Sequence, residues 1–407
     1  MTRRLPRHHG ATIQHVSTSL DMGGAQTMLV KLIEAEPRHG GSRHAIVSML
    51  KPGVLTPSRE EAPVYTLGMA RGLPGPAAIV RLLRITGRVR PDLLQGWMYH
   101  GNLAASIAGA LQTRGTPVVW NVRHSLVDLA LESRATRRLI ALSARLSRGT
   151  AAIVYNSQVA ARQHEAVGFA PERSIYIANG FDCGRFRPDP AGRTALEQRF
   201  GVPPGPIVVA MVARLHPMKD HATLVDAVAR ARAAGVDLHL LLVGTGLDGP
   251  PRALADRIAR QIPSTRVTLV GERTDVAEWL PGVDIVALSS AWGEAFPNIL
   301  GEAMACGIPC VATDVGDSAW VLGESGTIVP PGDVTGMAAA LVRLGEDGAT
   351  ERHGRGIAAR ARVVDEFEID SVARRYRQLY SAILRGDAVA PQGRTTAACR
   401  TEQMVAG

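Results

Sequence analysis

Short apolar runs alternate with stretches of helical spacing along this chain, in two series divided by a single break. In the first series 12–16, 45–49, 64–66, 93–96, 118–121 and 152–156 read as strands, with helices at 25–36, 77–88, 102–111 and 134–147. In the second, strands at 208–212, 238–243, 267–270, 285–288 and 310–313 alternate with helices at 222–234, 253–262, 276–280 and 298–306. A short strand at 328–329 and a helix from 335 close that series, and 369–384 reads as a last long helix. Continuous short apolar runs are the mark of strands buried on both faces, and the helices between them supply the crossovers. The fold class that follows is α/β, with two Rossmann-like, doubly wound parallel sheets. Arg187-Pro188-Asp189-Pro190 and Val202-Pro203-Pro204-Gly205 punctuate the break as a linker around one short helix. Two such domains facing each other imply a cleft, with ligands at the carboxyl ends of the strands.

Charge divides along the same line. The formal net charge is +9, yet residues 1–180 hold 22 Lys/Arg against 10 Asp/Glu, a net of +12, and the rest hold 24 against 27, a net of −3. Nucleic acid is not expected as the partner: no recognition-helix motif is present, and 17 aromatics in 407 residues make no stacking platform. Arg134, Arg137, Arg138, Arg145 and Arg148 partly cluster on one helix. They read either as a solvated basic surface or as a contact for anionic headgroups or a phosphate-linked acceptor. Cys183, Cys306, Cys310 and Cys399 are too few for a disulfide scaffold and complete no metal site, so buried free thiols are expected. No apolar core follows the basic N-terminus, and no run approaches the ~20 residues that span a bilayer. A cytoplasmic protein is expected, with any membrane contact peripheral and at the inner face.

Gly244-Thr245-Gly246-Leu247-Asp248-Gly249 matches a dinucleotide fingerprint after a strand, but Pro250-Pro251 separate it from the next helix. Without a helix N-terminus directly behind the loop a pyrophosphate has no seat, so NAD is not expected.

The chemistry-bearing stretch runs from Ser289 to Pro309. Glu294 and Glu302 stand eight apart, the first in a loop and the second inside the helix that the loop enters, with Pro297 expected in its first turn. Backbone N–H groups around Phe296, Pro297 and Asn298, with the helix dipole behind them, make an anion site. Glu294 can accept sugar hydroxyls and Glu302 can reach a ribose diol. Upstream, Arg214 and Lys219 after a strand end can place two cations on one anion, as a departing diphosphate needs. Gly23 and Gly24, between a strand and a helix, let backbone approach a phosphate.

With Gly23-Gly24-Ala25-Gln26, Asn156-Ser157, Asn179-Gly180-Phe181-Asp182 and Phe186-Arg187-Pro188, these segments resemble family 4 retaining glycosyltransferases of the GT-B fold over nearly the whole chain. The resemblance implies a 10–187 acceptor-binding domain and a 188–366 nucleotide-sugar-binding domain. It also implies a 367–386 helix packing on the first domain; 387–407 is expected to be disordered. Arg214 and Lys219 then match the diphosphate-binding pair, Glu294 the donor-sugar contact and Glu302 the ribose ligand. Gly24 matches the loop that meets the diphosphate, and Phe296, Pro297 and Asn298 the segment whose backbone meets sugar and phosphate. His124, in Asn121-Val122-Arg123-His124-Ser125, matches a position facing the reacting sugar and acceptor.

The activity implied is hexosyl transfer from a UDP- or GDP-linked donor to a glycan, lipid-linked or glycolipid acceptor, in cell-surface polysaccharide biosynthesis. No cofactor or metal is expected, in keeping with the absence of Asp-x-Asp. Ala295 and Gly301 depart from the family's usual glycine and larger apolar residue. Two other readings stay open: a GT-B-type nucleotide-sugar epimerase, and a catalytically silent donor-binding partner subunit. Each candidate also has a plainer role, as surface charge, structural histidine or ordinary strand–helix turn.

Overall fold

The computed structural model describes residues 10–387 apart from 22, 38–40, 52, 60–61, 71, 73 and 113–114. The basic N-terminus, Cys399 and the expected disordered tail beyond Asp387 lie outside the described residues. The chain divides into two compact units, with crossings at Gly180–Phe181 and Glu368–Ile369.

In unit 1 the elements run β1 (Thr12–Ser17), α1 (Gly24–Glu34), β2 (Arg43–Ser48), β3 (Val64–Thr66), α2 (Pro76–Val89) and β4 (Leu93–Trp97). They continue with α3 (Met98–Leu111), β5 (Val118–Val122), α4 (Arg134–Leu146), β6 (Ala152–Tyr155), α5 (Gln158–Ala166) and β7 (Ser174–Tyr176). The strands form one parallel sheet in the order β3-β2-β1-β4-β5-β6-β7. Strand order reverses at β1, where Ser17 pairs with Ser48 on one side and Trp97 on the other.

Unit 2 starts with α6 (Gly192–Phe200), β8 (Ile207–Val212), α7 (His221–Ala233), β9 (Leu238–Val243), α8 (Arg252–Gln261), β10 (Val267–Val270) and α9 (Val276–Trp279). Then come β11 (Ile285–Leu288), α10 (Asn298–Ala305), β12 (Cys310–Thr313), α11 (Ser318–Leu322), β13 (Thr327–Val329), α12 (Val334–Glu346) and α13 (Ala349–Phe367). Its parallel sheet is ordered β10-β9-β8-β11-β12-β13, reversing between β8 and β11. Both units are thus doubly wound, and both open a crevice at the carboxyl ends of the strands flanking the reversal.

The last helix, α14 (Ile369–Arg385), belongs to unit 1. Its Ile369, Val372, Ala373, Tyr376, Leu379 and Tyr380 bury into one cluster with Ile13, Leu29, Ile33, Val119 and Ile175. Polar chemistry fixes the seat. Gln95 of β4 and Asn121 of β5 are fully buried in the sheet, where an unpaired amide is expensive. Tyr380 donates to Gln95 Oε1, and Asn121 Nδ2 donates to the Tyr376 hydroxyl at 2.8 Å.

Several details differ from the sequence expectation, these four among them. Helix α1 ends at Glu34, two residues short of the expected stop. Pro297 is the N-cap residue of α10 and not part of its first turn. The units divide at 180/181 and 368/369, not at 187/188 and 366/367, because Phe181 pairs with Glu368 and its ring packs against Phe296 and Phe367. Helix α13, absent from the expectation, buries Gly356, Ala359, Val363 and Phe367. Half of that face is small residues; a Cβ on Gly356 would lie 1.8 Å from Gly307 O, so α13 packs by close approach and shows little in hydropathy.

Candidate functional site

The unit 2 crevice is built by the segments that leave β8 and β11. After β8 the chain makes a tight turn over Pro217–Lys219, with His216 Nδ1 accepting from Met218 N at 3.2 Å. Asp220 then caps α7 through Thr223 N at 3.2 Å and Thr223 Oγ1 at 2.6 Å. After β11, Ser289 Oγ donates to Asp220 O at 2.8 Å, and Ala291 N donates to Met218 O at 2.8 Å. These bonds lock the two loops together.

The locking brings Lys219 and Glu294 into contact. Lys219 Nζ donates to Glu294 Oε1, and Ser290 Oγ donates to the same oxygen at 2.6 Å. Glu294 is only 7% exposed, so the pair is desolvated and each partner is held by the other. Arg214, in contrast, is exposed; its Nη2 contacts the Met218 sulfur at 3.8 Å, and it forms no ion pair among the described residues. One cation is engaged and one is open.

Glu294 is also held from behind. Gly316 has φ +61° and lies so close that a Cβ would sit 2.3 Å from Glu294 O, while Asp317 N donates to Ala295 O at 2.9 Å. Phe296 buries its ring among Phe181, Phe367 and Trp320, with centroid separations of 6.1, 5.6 and 6.1 Å. Its role in the fold is that of an anchor that leaves its backbone at the crevice. Pro297, the N-cap residue of α10, makes no side-chain cap bond to the helix start. Asn298 opens the helix half-buried, and Glu302 lies half-buried one turn further. Gly301 departs from a larger residue for a visible reason: a Cβ there would fall 2.1 Å from the Phe181 ring.

Arg214, Lys219, Glu294 and the Phe296–Asn298 segment therefore share one end of the unit 2 sheet. The Gly244–Gly249 loop follows β9 at the same end and no helix starts before Arg252, so it lacks the geometry of a dinucleotide fingerprint. Ser290 and Gly316 had no sequence signal beyond their neighbourhood to Glu294.

Gly23, Gly24 and His124 lie in unit 1. Gly23 is the extended N-cap of α1 just beyond β1, and Gly24 is exposed. His124 follows β5; its Nε2 faces Glu132 Oε1 at 3.0 Å and its ring meets Tyr99 edge-on at 6.2 Å. Tyr99 is buried and its hydroxyl donates to His164 Nε2 at 2.7 Å, because His164 Nδ1 must donate to Ala160 O, also at 2.7 Å. Burial drives the His164 pKa down to about 4. Trp97, at the end of β4, is fully buried and donates from Nε1 to His15 Nδ1 at 3.2 Å. Its successor Met98 takes φ +60°, a strained value for a residue with a side chain.

Arg134, Arg137, Arg138, Arg145 and Arg148 are exposed on and just after α4, with Leu142 and Leu146 exposed beside them. Cys183, Cys306 and Cys310 are buried free thiols, and burial together with Glu302 pushes Cys306 up to about 12. Among the described residues no group of three or more His, Cys, Asp or Glu comes together to hold a metal ion, and no helix is long and apolar enough to cross a membrane.

Residues 22–185 match the family model described as Glycosyltransferase Family 4, and 206–347 the model described as Glycosyl transferases group 1. The chain is 32% identical over 197 residues to N-acetyl-alpha-D-glucosaminyl L-malate synthase of Bacillus anthracis, covering 48% of this chain and 50% of that protein. It is 29% identical over 309 residues to D-inositol 3-phosphate glycosyltransferase 2 of Catenulispora acidiphila, 70% of each. The chain thus spans about half the length of the Bacillus relative. Among solved structures, Anabaena HepE in complex with UDP and glucose superimposes with a TM-score of 0.77 at 22% identity, covering 91% of this chain and 100% of that one.

Proposed function

Because this chain belongs to glycosyltransferase family 4 and has the GT-B fold, we propose that it is a metal-independent, retaining hexosyltransferase using a UDP- or GDP-linked sugar. The observation that carries this reading is the unit 2 crevice: an open cation at Arg214, a second at Lys219, a desolvated Glu294 and an uncapped helix start. Arg214 and Lys219 bind the donor diphosphate. Glu294 takes hydroxyls of the sugar, and Glu302 those of the ribose. The α10 N-terminus adds backbone donors where charge grows on the leaving group.

Transfer breaks the bond between the anomeric carbon and the phosphate oxygen and forms one to the acceptor oxygen on the same face. The acceptor proton passes to the departing phosphate. The cations stabilise that phosphate, a duty that a divalent metal performs in other transferases. The UDP in the HepE structure supports a uridine nucleotide as the first donor to test.

Unit 1 binds the acceptor in this reading, with His124 facing the reacting sugar. Two of the relatives are named for L-malate and inositol 3-phosphate, both anions, which together with the net +12 of residues 1–180 supports an acceptor that carries phosphate or carboxylate. A lipid-linked acceptor in cell-surface polysaccharide assembly meets that description. The exposed arginines of α4, with Leu142 and Leu146, would then rest on the anionic inner face of the membrane of a cytoplasmic enzyme.

A thermal-shift screen against UDP-, GDP-, ADP- and TDP-sugars tests the donor class. One nucleotide series should raise the unfolding midpoint, and the Arg214→Ala, Lys219→Ala double variant should lose that response. An unchanged response in the double variant would sink the diphosphate assignment.

A further inference from the structure

Arg123, immediately before His124, is a cation without an anion. Its Nη1 donates to Asn121 Oδ1 and to the Tyr376 hydroxyl, each at 3.2 Å, and its Nη2 donates to Asn179 Oδ1. The guanidinium carbon lies 5.6 Å from the centroid of the Trp97 ring, and Nε is buried with no partner. Every one of these contacts is neutral, and no Asp or Glu pairs with Arg123 among the described residues. Of the other half-buried arginines, Arg193 pairs with Asp284 at 2.9 Å and Arg362 with Glu366 at 2.7 Å, while Arg352 and Arg360 each donate to three backbone carbonyls. Among the described residues Arg123 has neither a carboxylate nor a backbone carbonyl, and its Nε is left over. Amide and phenol oxygens satisfy donors but do not neutralise a charge, and a desolvated charge left without its counter-ion is costly. Burial accordingly presses the Arg123 pKa downward. The residue stands at the carboxyl end of the unit 1 sheet, where doubly wound folds bind ligands. The strained Met98 next to Trp97 falls at the same end.

We propose that Arg123 is the oxyanion-recognition residue of unit 1, its missing counter-ion being a phosphate-type group of a bound substrate. A planar fork suits such a group better than an ammonium does. This rests on the glycosyltransferase reading above and deepens it. The oxyanion can belong to the acceptor or to the donor diphosphate.

The test titrates inorganic phosphate into the full-length Lys219→Ala protein, whose donor site is weakened, with and without Arg123→Gln or Arg123→Lys. The readouts are the unfolding midpoint and the NMR signal of the Arg123 Nε–H. Phosphate should shift that signal and raise the midpoint. Arg123→Gln should weaken phosphate binding at least tenfold, and Arg123→Lys should retain part of it. Identical phosphate responses with and without Arg123, or an Arg123 signal that phosphate leaves still, would overturn the proposal. If Arg123→Gln fails to fold, the signal in the Lys219→Ala protein decides alone. A UDP titration of the otherwise native protein then names the source. UDP affinity that falls in Arg123→Gln assigns the oxyanion to the donor, and unchanged UDP affinity assigns it to the acceptor. UDP binding that still depends on Arg214, alongside a negative phosphate result, would leave the donor reading standing and remove only this inference.

Discussion

The two units share a topology and differ in where they put polarity. In unit 2 the sheet is mostly apolar, with His239, Thr268, Thr313 and Thr327 its polar members, and the charged groups stand in the loops beyond β8 and β11. In unit 1 polar groups enter the sheet itself: Gln14, His15, Gln95 and Asn121 are all buried. His15 finds His44 and Trp97 on neighbouring strands, whereas Gln14, Asn121 and Gln95 take Thr86, Tyr376 and Tyr380 from helices. One unit therefore uses its scaffold as an inert frame for a site, while the other wires its scaffold to a helix that arrives late in the sequence. The same fold can hold chemistry at its rim or carry it inward.

Four measurements would break or sharpen this contrast. The largest effect is expected at the rim of unit 2. On the donor site proposed above, Lys219→Ala removes a charge-assisted contact to the diphosphate, at a cost of ~1.5–3 kcal/mol, so calorimetry should show nucleotide affinity falling about 10- to 100-fold. A smaller loss would mean that Arg214 alone holds the phosphates.

Acidification comes next, and in unit 1 it acts through His164. His164 has its folded pKa lowered to about 4 from the ordinary 6.5, mainly by burial. The unfolded chain then binds more protons between those two values, so stability present above pH 6.5 is lost as pH falls towards 4. At pH 5 this one residue accounts for about 2 kcal/mol. Denaturant melts at pH 7 and 5 should show that loss, and His164→Phe should remove much of it. An equal pH response in the variant would place the titration elsewhere, for example at His221 or His239 of unit 2, which burial also lowers to about 4.

Tyr380→Phe strips Gln95 Oε1 of its donor in the middle of the sheet, for an expected loss of about 1–2 kcal/mol in a denaturant melt. No loss would mean that water reaches the sheet, and the inward wiring would be decorative.

The smallest effect has the opposite sign. Glu294→Gln frees Lys219 from its ion pair, so UDP should bind about 3- to 5-fold more tightly, or ~1 kcal/mol, while sugar transfer falls. Weaker UDP binding in this variant would show that Glu294 supports Lys219 and does not compete for it.

Legibility in the sequence followed the same divide. Unit 2 strands are continuous apolar runs, and its candidate residues sit at fixed spacings, so Arg214, Lys219, Glu294 and Glu302 stand out from the sequence. Their mutual contacts do not. Nothing in the residue pattern announces that Ser290 shares Glu294 with Lys219, because that meeting depends on how two loops cross. The α/β class was equally plain, whereas β7 and α5 escaped because Ser174–Tyr176 is only three residues long and Gln158–Ala166 buries only Ala160 and His164. Helix α13 escaped because glycine and alanine make its contact face. Arg123 lay in full view beside His124, but its want of a carboxylate is a three-dimensional fact.

The aromatic cluster behind Phe296 sets a limit on how this protein can be cut and recombined. Phe181 is the first residue of unit 2 and Phe367 the last but one, and both rings pack on Phe296. A chimera that joins unit 2 at 188 and ends it at 366 would discard two of the three rings that hold the loop of Glu294. Splices at 180/181 and 368/369 keep all of them, so the Glu294 loop should travel intact only with those seams.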